Sequence, residues 1–434
     1  MENSRAMEDR RMETQPARKG SDPAPASGPS GPSSVSGRPL RFILATSGAE
    51  GFGDALTRTL LPILAVAVLG LGTGFVGLLN AVSLTAFLLL GMPVGMLIDR
   101  IRNRTGAMAA STLTRCLVGT LLAAGYWTDL LSGPALLGAA ILLGVADVVF
   151  TAAQSTVIPA AVPAAGLKSA YSRLALLNQG ASTTAAAAGS AALALLGLPA
   201  MMLAAAASYA GSLLFQRGIR VSPARPAPRN RAGGQFRHGF TILRRTPALW
   251  ALTLSGCLTN AGAMLGNTVL PVFVLRDLGI EPAVYAALGL VSAAGAMAGA
   301  AAAPRLTSRL GLKVLRTGAA LLAIPAVGLA AACQWLPGAD IGWLAAQSLA
   351  WSFLVSVSAV AGAEVLPRTV APEKLATVGS AQRTLTLGVM PVAAVLGGAA
   401  AAAAGPVPLL VVWALLSGAA ALPLLREKSL SLFR

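Results

Sequence analysis

Gly74–Arg104 reads GFVGLLNAVSLTAFLLLGMPVGMLIDRIRNR. Its first 25 residues carry no charge, and its last six, Asp99–Arg104, carry four. A helix rises about 1.5 Å per residue, so about 20 apolar residues cross the roughly 30 Å hydrocarbon layer of a bilayer. The uncharged run therefore predicts a membrane-spanning helix, and the basic cluster predicts its stop. The same pattern recurs along the chain. Predicted spans cover 41–69, 74–98, 106–127, 133–155, 170–196, 199–216, 248–275, 282–303, 317–336, 341–364, 377–402 and 407–425. The fifth and sixth are separated only by Gly197–Leu198.

Composition agrees with this reading. Of 434 residues, 55% are hydrophobic and 11% charged, with a mean hydropathy of +0.70. Soluble domains carry about 25% charged residues, so this chain cannot cover a water-soluble globule with polar surface. The net charge of +17 raises the question of a nucleic-acid partner. Its distribution answers it. With the N-terminus inside, 29 of the 33 Lys and Arg residues fall in cytoplasmic segments and one, Arg276, in an outer loop. Arg58, Arg115 and Arg383 lie within spans. That asymmetry is the positive-inside pattern and predicts a multi-pass plasma-membrane protein with both termini cytoplasmic and no nucleic acid bound. Trp127, Trp250, Trp335 and Trp343 sit near span ends, as interfacial aromatics do.

Residues 1–40 are rich in Pro, Gly, Ser and charge, which predicts a disordered tail. The remaining expected units are an N-terminal six-helix bundle over 41–216, a basic linker over 217–247, a C-terminal six-helix bundle over 248–425 and a tail over 426–434. An internal repeat at an offset of 208–209 relates the two bundles. Ser47-Gly48 matches Ser255-Gly256, and Leu61-Pro62 matches Leu270-Pro271. Pro159, Val162, Leu167 and Gly180 match Pro367, Val370, Leu375 and Gly388. Such a duplication places a substrate site between the halves.

Cys116, Cys257 and Cys333 are dispersed in apolar runs, and the single histidine, His238, sits in the basic linker. A metal site needs several convergent ligands, so no metal or cofactor is expected. No phosphate-binding G-x-x-x-x-G-K-[ST] loop occurs, which argues against an ATP-driven pump. No catalytic cluster points to an enzyme.

Polar residues inside spans are costly and mark cavities or pairs. Glu50, Asp54 and Arg58 recur every four residues in span 1 and share one helix face. Burial and the neighbouring Arg58 charge act oppositely on whether Asp54 holds a proton. Asp54 is the expected proton-coupling site, Arg58 its partner and Glu50 a secondary acid nearer the cytoplasm. A static ion pair is the other reading of these three residues. Arg115 and Asp147 are candidates for a cavity or a packing pair. Asn178, Gln179, Asn260, Asn267, Gln382 and Arg383 are secondary cavity candidates.

The loop from Gly95 through Asp99, Arg100 and Arg104 resembles the signature loop of the major facilitator superfamily, G-x-L-x-D-R-x-x-R-[RK]. Arg102 and Asn103 depart from it. The resemblance implies a cytoplasmic ion-pair latch at Asp99 and Arg100; an ordinary basic stop is the alternative. Gly53-Asp54, the stretch Leu366–Leu375, and Arg383–Pro391 followed by Gly397-Gly398 are similar to the drug:proton antiporter branch that includes macrolide-efflux and enterobactin-exporter-like proteins. Ala188-Gly189-Ser190 stands where many exporters have Gly-Pro. The resemblance implies twelve transmembrane helices in two pseudo-symmetric six-helix bundles, an all-α membrane protein. It implies a monomeric, proton-coupled exporter of a drug-like or secondary-metabolite small molecule. An importer of the same fold, or a channel or receptor, remains open. Reporter fusions at Leu131 and Gly279 should read outside and one near Arg229 inside; the opposite pattern overturns this topology.

Overall fold

A computed structural model describes residues 38–162, 167–219, 232–336, 338–371 and 374–432. Among them no strand occurs. The first half holds α1 (Arg38–Ile63), α2 (Thr73–Arg100), α3 (Arg104–Trp127), α4 (Gly133–Ala161), α5 (Leu167–Leu196) and α6 (Leu198–Gln216). A short helix, α7 (Ala232–Arg245), follows. The second half holds α8 (Pro247–Val272), α9 (Pro282–Leu310), α10 (Leu312–Ala332), α11 (Asp340–Gly362), α12 (Val365–Thr369), α13 (Leu375–Ala404), α14 (Pro406–Ala419) and α15 (Ala421–Arg426). Among the described residues, eleven segments are long and apolar enough to cross a membrane. The 30-residue α5, whose apolar stretch Gly180–Leu196 is shorter, takes the remaining place in the first bundle.

Local sequence explains the boundaries. Prolines at the first turns of α4, α6, α8, α9 and α14 start helices where no backbone N–H partner is needed. The turn between α5 and α6 is the single residue Gly197, at φ 79°, a conformation that disfavours a side chain. Asn103, which departs from the signature pattern, caps α3 by accepting a hydrogen bond from Gly106 N at 2.9 Å.

Two boundaries differ from expectation. The loop expected before 317 shrinks to Gly311, because α10 begins at Leu312 and takes in Lys313 and Arg316. Lys313 reaches out to the Leu425 carbonyl at 3.0 Å, while Arg316 turns inward and lays its guanidinium against Gly362 of α11. The linker is not all loop: α7 buries Gly239 and Leu243 while Arg237, Arg244 and Arg245 stay exposed.

The two halves pack by the same rules. In the first, α1 meets α5 and α6, α3 meets α4 and α6, and α2 meets α4. In the second, α8 meets α13 and α14, α10 meets α11 and α14, and α9 meets α11. Between halves, α2 against α13 mirrors α9 against α5. The Leu-Pro repeat has a structural counterpart. Pro62 and Pro271 each sit just before a π-helical turn, at Leu64–Val68 and Phe273–Asp277, and the two turns touch.

We call the face holding Arg38 and Leu432 the tail face. The far face is sealed by backbone contact. A Cβ added at Gly77 would collide with the Ala394 carbonyl oxygen and sit 2.9 Å from Gly398 Cα. One at Gly398 would lie 2.8 Å from the Thr73 carbonyl oxygen. Toward the tail face, a Cβ at Gly91, Gly95 or Gly180 would meet nothing within 4 Å. The halves are thus in close backbone contact at the far face, a contact these tail-side glycines do not repeat. Gly77→Val should destabilise the purified protein by about 1–3 kcal/mol through overpacking, read as a lower melting temperature, while Gly91→Val should leave the melting temperature unchanged. Equal effects would show that the seal is not the tight contact.

Candidate functional site

The buried face of α3 reads Met108, Ser111, Thr112, Arg115, Val118 and Leu122. That spacing turns one cation and two hydroxyls into the first bundle. Arg115 is 1% exposed and meets three carboxylates. Its Nη1 lies 2.6 Å from Glu50 Oε2 and 2.9 Å from Asp54 Oδ1, and its Nη2 lies 3.0 Å from Asp147 Oδ1. Phe150 and Tyr209 lie over the guanidinium, with ring centroids 5.3 and 5.8 Å away.

The three acids differ in access. Glu50's side chain is 3% exposed, Asp54's 27% and Asp147's 41%. Glu50 Oε1 accepts from Thr112 Oγ1 at 2.6 Å and Ser212 Oγ at 2.7 Å. Gln216 Nε2 donates to both of those hydroxyls, at 2.8 and 3.1 Å. Asp54 Oδ1 accepts from Tyr209 OH at 2.8 Å, and both Asp54 oxygens accept from Arg115. Gly53 lets Tyr209 approach: a Cβ there would stand 2.8 Å from its ring.

Asp54 and Asp147 line a cavity of about 690 Å³ between the two halves, within the usual range for small-molecule sites. Its first-half wall includes Arg58, Asn80 and Tyr209. Its second-half wall includes Asn267, Gln347, Ser348 and Arg383 among leucines and methionines. Glu50 stands behind this surface, as the buried end of the cluster.

Each expected residue can now be placed. Glu50, Asp54, Arg115 and Asp147 come together. The guanidinium against Asp54 is that of Arg115, not Arg58, because the three-residue periodicity of α3 aims Arg115 inward while Arg58 faces the cavity. Glu50 is the most enclosed of the three. Asn260 bonds across to the Thr386 carbonyl at 2.8 Å, holding α8 to α13. Asn178 is exposed on α5, Gln382 is half-buried on α13, and Asn267 and Arg383 face the cavity. Gly95 and Arg100 lie at the tail end of α2 and Arg104 begins α3; Arg100 is exposed. The side chains of Asp99 and Gln179 lie outside the described residues. Tyr209, Ser212 and Gln216 were not among the expected residues. Their spacing of three and four on the otherwise apolar α6 is the signal that marks them.

A twelve-helix bundle pair around a polar cavity, with buried charges at its wall, defines a membrane secondary transporter. The chain belongs to the Major Facilitator Superfamily, whose profile matches residues 43–394. No curated protein sequence matches it significantly. A bacterial homologue of the iron transporter ferroportin, in an inward-facing state, has a TM-score of 0.72 at 13% identity, over 90% of this chain and 99% of that one. The nucleoside transporter NupG has a TM-score of 0.70 at 13% identity, with 90% and 99% covered. A bacterial homologue of the human lysosomal transporter Spinster, inward-facing and unoccupied, has 0.65 at 16% identity, with 90% and 98% covered. At these identities the likeness is one of fold.

Removing one partner of a buried ion cluster leaves uncompensated charge, at a cost of about 3–5 kcal/mol. Arg115→Met should therefore lower the yield of folded protein sharply, whereas Asp147→Asn, which removes the most exposed acid, should not. Wild-type thermal stability in Arg115→Met would show that the cluster does not hold the bundle together.

Proposed function

We propose that this secondary transporter is proton-coupled and works by alternating access, exporting a drug-like or secondary-metabolite small molecule. The observation that carries the proton reading is the cluster of three carboxylates around Arg115, two of them open to the central cavity. With all four groups ionised the cluster bears a formal charge of −2. In a water-poor interior that excess is unfavourable, and a proton taken from the cavity removes part of it. Asp54 is the best-placed acceptor. It faces the cavity, touches Arg115 and is held by Tyr209. Glu50 is the enclosed counter-charge that keeps Arg115 in place when Asp54 changes state.

Direction and substrate class rest on the sequence resemblance to the drug:proton antiporter branch. The cavity is consistent with them in size and in its mixture of apolar and polar walls. The structural neighbours move other cargo, and import by the same cavity is the competing reading. The sealed far face, external by the charge asymmetry, supports a state that loads from the cytoplasm.

A susceptibility and uptake screen of an overexpressing strain identifies the substrate. Substrate-driven proton movement in proteoliposomes then tests the coupling. Asp54→Asn should abolish proton movement while preserving substrate exchange between the two sides. Intact coupling in that variant removes Asp54 from the role. The signature loop supports a second reading, that Asp99 and Arg100 latch the tail face in the outward-open state. Asp99→Asn should reduce transport at unchanged membrane abundance, and unchanged transport returns the loop to a topological anchor.

A further inference from the structure

Arg58 is one of two charges in the cavity wall outside the Arg115 cluster; the other, Arg383 on α13, has interactions of its own. It stands one helical turn beyond Asp54 on α1, is exposed, and lines the cavity. It forms no hydrogen bond or ion pair with any described residue. The two acids that share the cavity with it are hydrogen-bonded elsewhere, although Asp54 lies within electrostatic range of Arg58. Both oxygens of Asp54 are taken by Arg115, one of them also by Tyr209, and Asp147 is bonded to Arg115.

A guanidinium within a membrane span is costly unless it pairs or faces water, and such a residue marks a functional site. Arg115 shows how this fold treats a cation whose task is structural: it is enclosed, stacked and met by three carboxylates. Arg58 has none of that enclosure. Its planar fork of N–H donors matches the two oxygens of a carboxylate, sulfonate or phosphate. Across the cavity the second half offers neutral hydrogen-bonding groups, Asn267 on α8 and Gln347 and Ser348 on α11, beside the already engaged Arg383 on α13. Between them the wall is largely apolar, with Leu84, Leu143 and Met390 among its residues.

We propose that Arg58 is the anchor for an anionic group on the substrate, a carboxylate or comparable oxyanion. The organic body of that substrate lies on the apolar wall, and its remaining polar atoms reach the amides of the second half. The inference rests on the reading that this cavity is the transport site. It adds the charge of the cargo, which the sequence resemblance leaves open. It also divides labour along one helix face, with proton exchange at Asp54 and substrate recognition at Arg58.

The test is equilibrium binding, which needs no proton gradient. The full-length protein, purified in detergent, is heated with size-matched pairs of aromatic carboxylates and aromatic amines, such as naphthoate against naphthylmethylamine and biphenylcarboxylate against biphenylmethylamine. Carboxylates should raise the melting temperature and amines should not. Arg58→Gln should weaken carboxylate binding by about tenfold or more, the scale of a charged hydrogen bond, and Arg58→Lys should retain part of it. Asp54→Asn should still bind carboxylates. Both Arg58 variants must melt near the wild-type temperature without ligand, as expected for a side chain with no described partner. Stabilisation by amines alone, carboxylate binding undiminished in Arg58→Gln, or no carboxylate binding at all would each overturn the proposal. Carboxylate binding that survives while Asp54→Asn keeps its proton coupling would instead overturn the coupling reading alone.

Discussion

The first bundle is organised by the burial of one guanidinium. Arg115 on α3 reaches α1 through Glu50 and Asp54 and α4 through Asp147, and α6 lays Tyr209 over it. Four helices are thereby fixed by a single side chain. Charges so deep in a bundle remain only when geometry satisfies them. Here the satisfaction extends to the hydroxyls of Thr112 and Ser212 and the amide of Gln216. The position of Asp54 at the cavity wall follows from this network, because Arg115 holds its carboxylate and Tyr209 fixes its direction. The cluster is therefore both a packing device and the chemistry of the site, and the exposure of each acid sets which function it can serve.

The second bundle repeats the packing without the carboxylate cluster. Where the first holds α1 by ion pairs, the second holds α8 by close apolar packing. Trp413 of α14 packs against Gly262 and Gly266 and meets the ring of Trp351 at 5.0 Å. Asn260 adds one hydrogen bond to α13. The duplication thus preserves helix contacts and the two π-helical turns while the interiors diverge. One half carries the carboxylates, and the other presents a largely apolar wall with Arg383 as its charge.

Much of this was legible in the sequence because membrane spans announce themselves. Uncharged runs such as Gly74–Ile98 and their basic stops reveal the helices, and Leu61-Pro62 with Leu270-Pro271 reveals the duplication. The four members of the cluster were visible as charges inside apolar runs. Their pairing was not. Helical spacing relates Asp54 to Arg58 on one helix, but it says nothing of the rotation of α3 against α1, which is what makes Arg115 the partner. Tyr209, Ser212 and Gln216 were obscured for a related reason: a hydroxyl or amide in a span is common enough to pass as packing until a carboxylate is placed beside it. The helical start of α10 was masked by Lys313 and Arg316, whose charges look like loop residues while their stems behave as apolar ones.

The seal at the far face has a consequence for how the molecule responds to its lipid. It is built from glycine Cα atoms resting on carbonyl oxygens of the facing helix, at Gly77 against Ala394 and Gly398 against Thr73. Those carbonyls belong to helices that already satisfy them, and only one long hydrogen bond crosses the seal, from Thr73 Oγ1 to the Gly398 carbonyl oxygen at 3.4 Å. Most of what is lost on parting is dispersion, a short-range attraction that falls away within a fraction of an ångström. Lipid chains or water can supply much of the same attraction once the gap admits them. Such a joint behaves as a dry zipper rather than a lock. Its balance is set by the lateral pressure of the surrounding acyl chains, and a thicker or more tightly packed bilayer shifts the population between closed and open far faces without touching a charge.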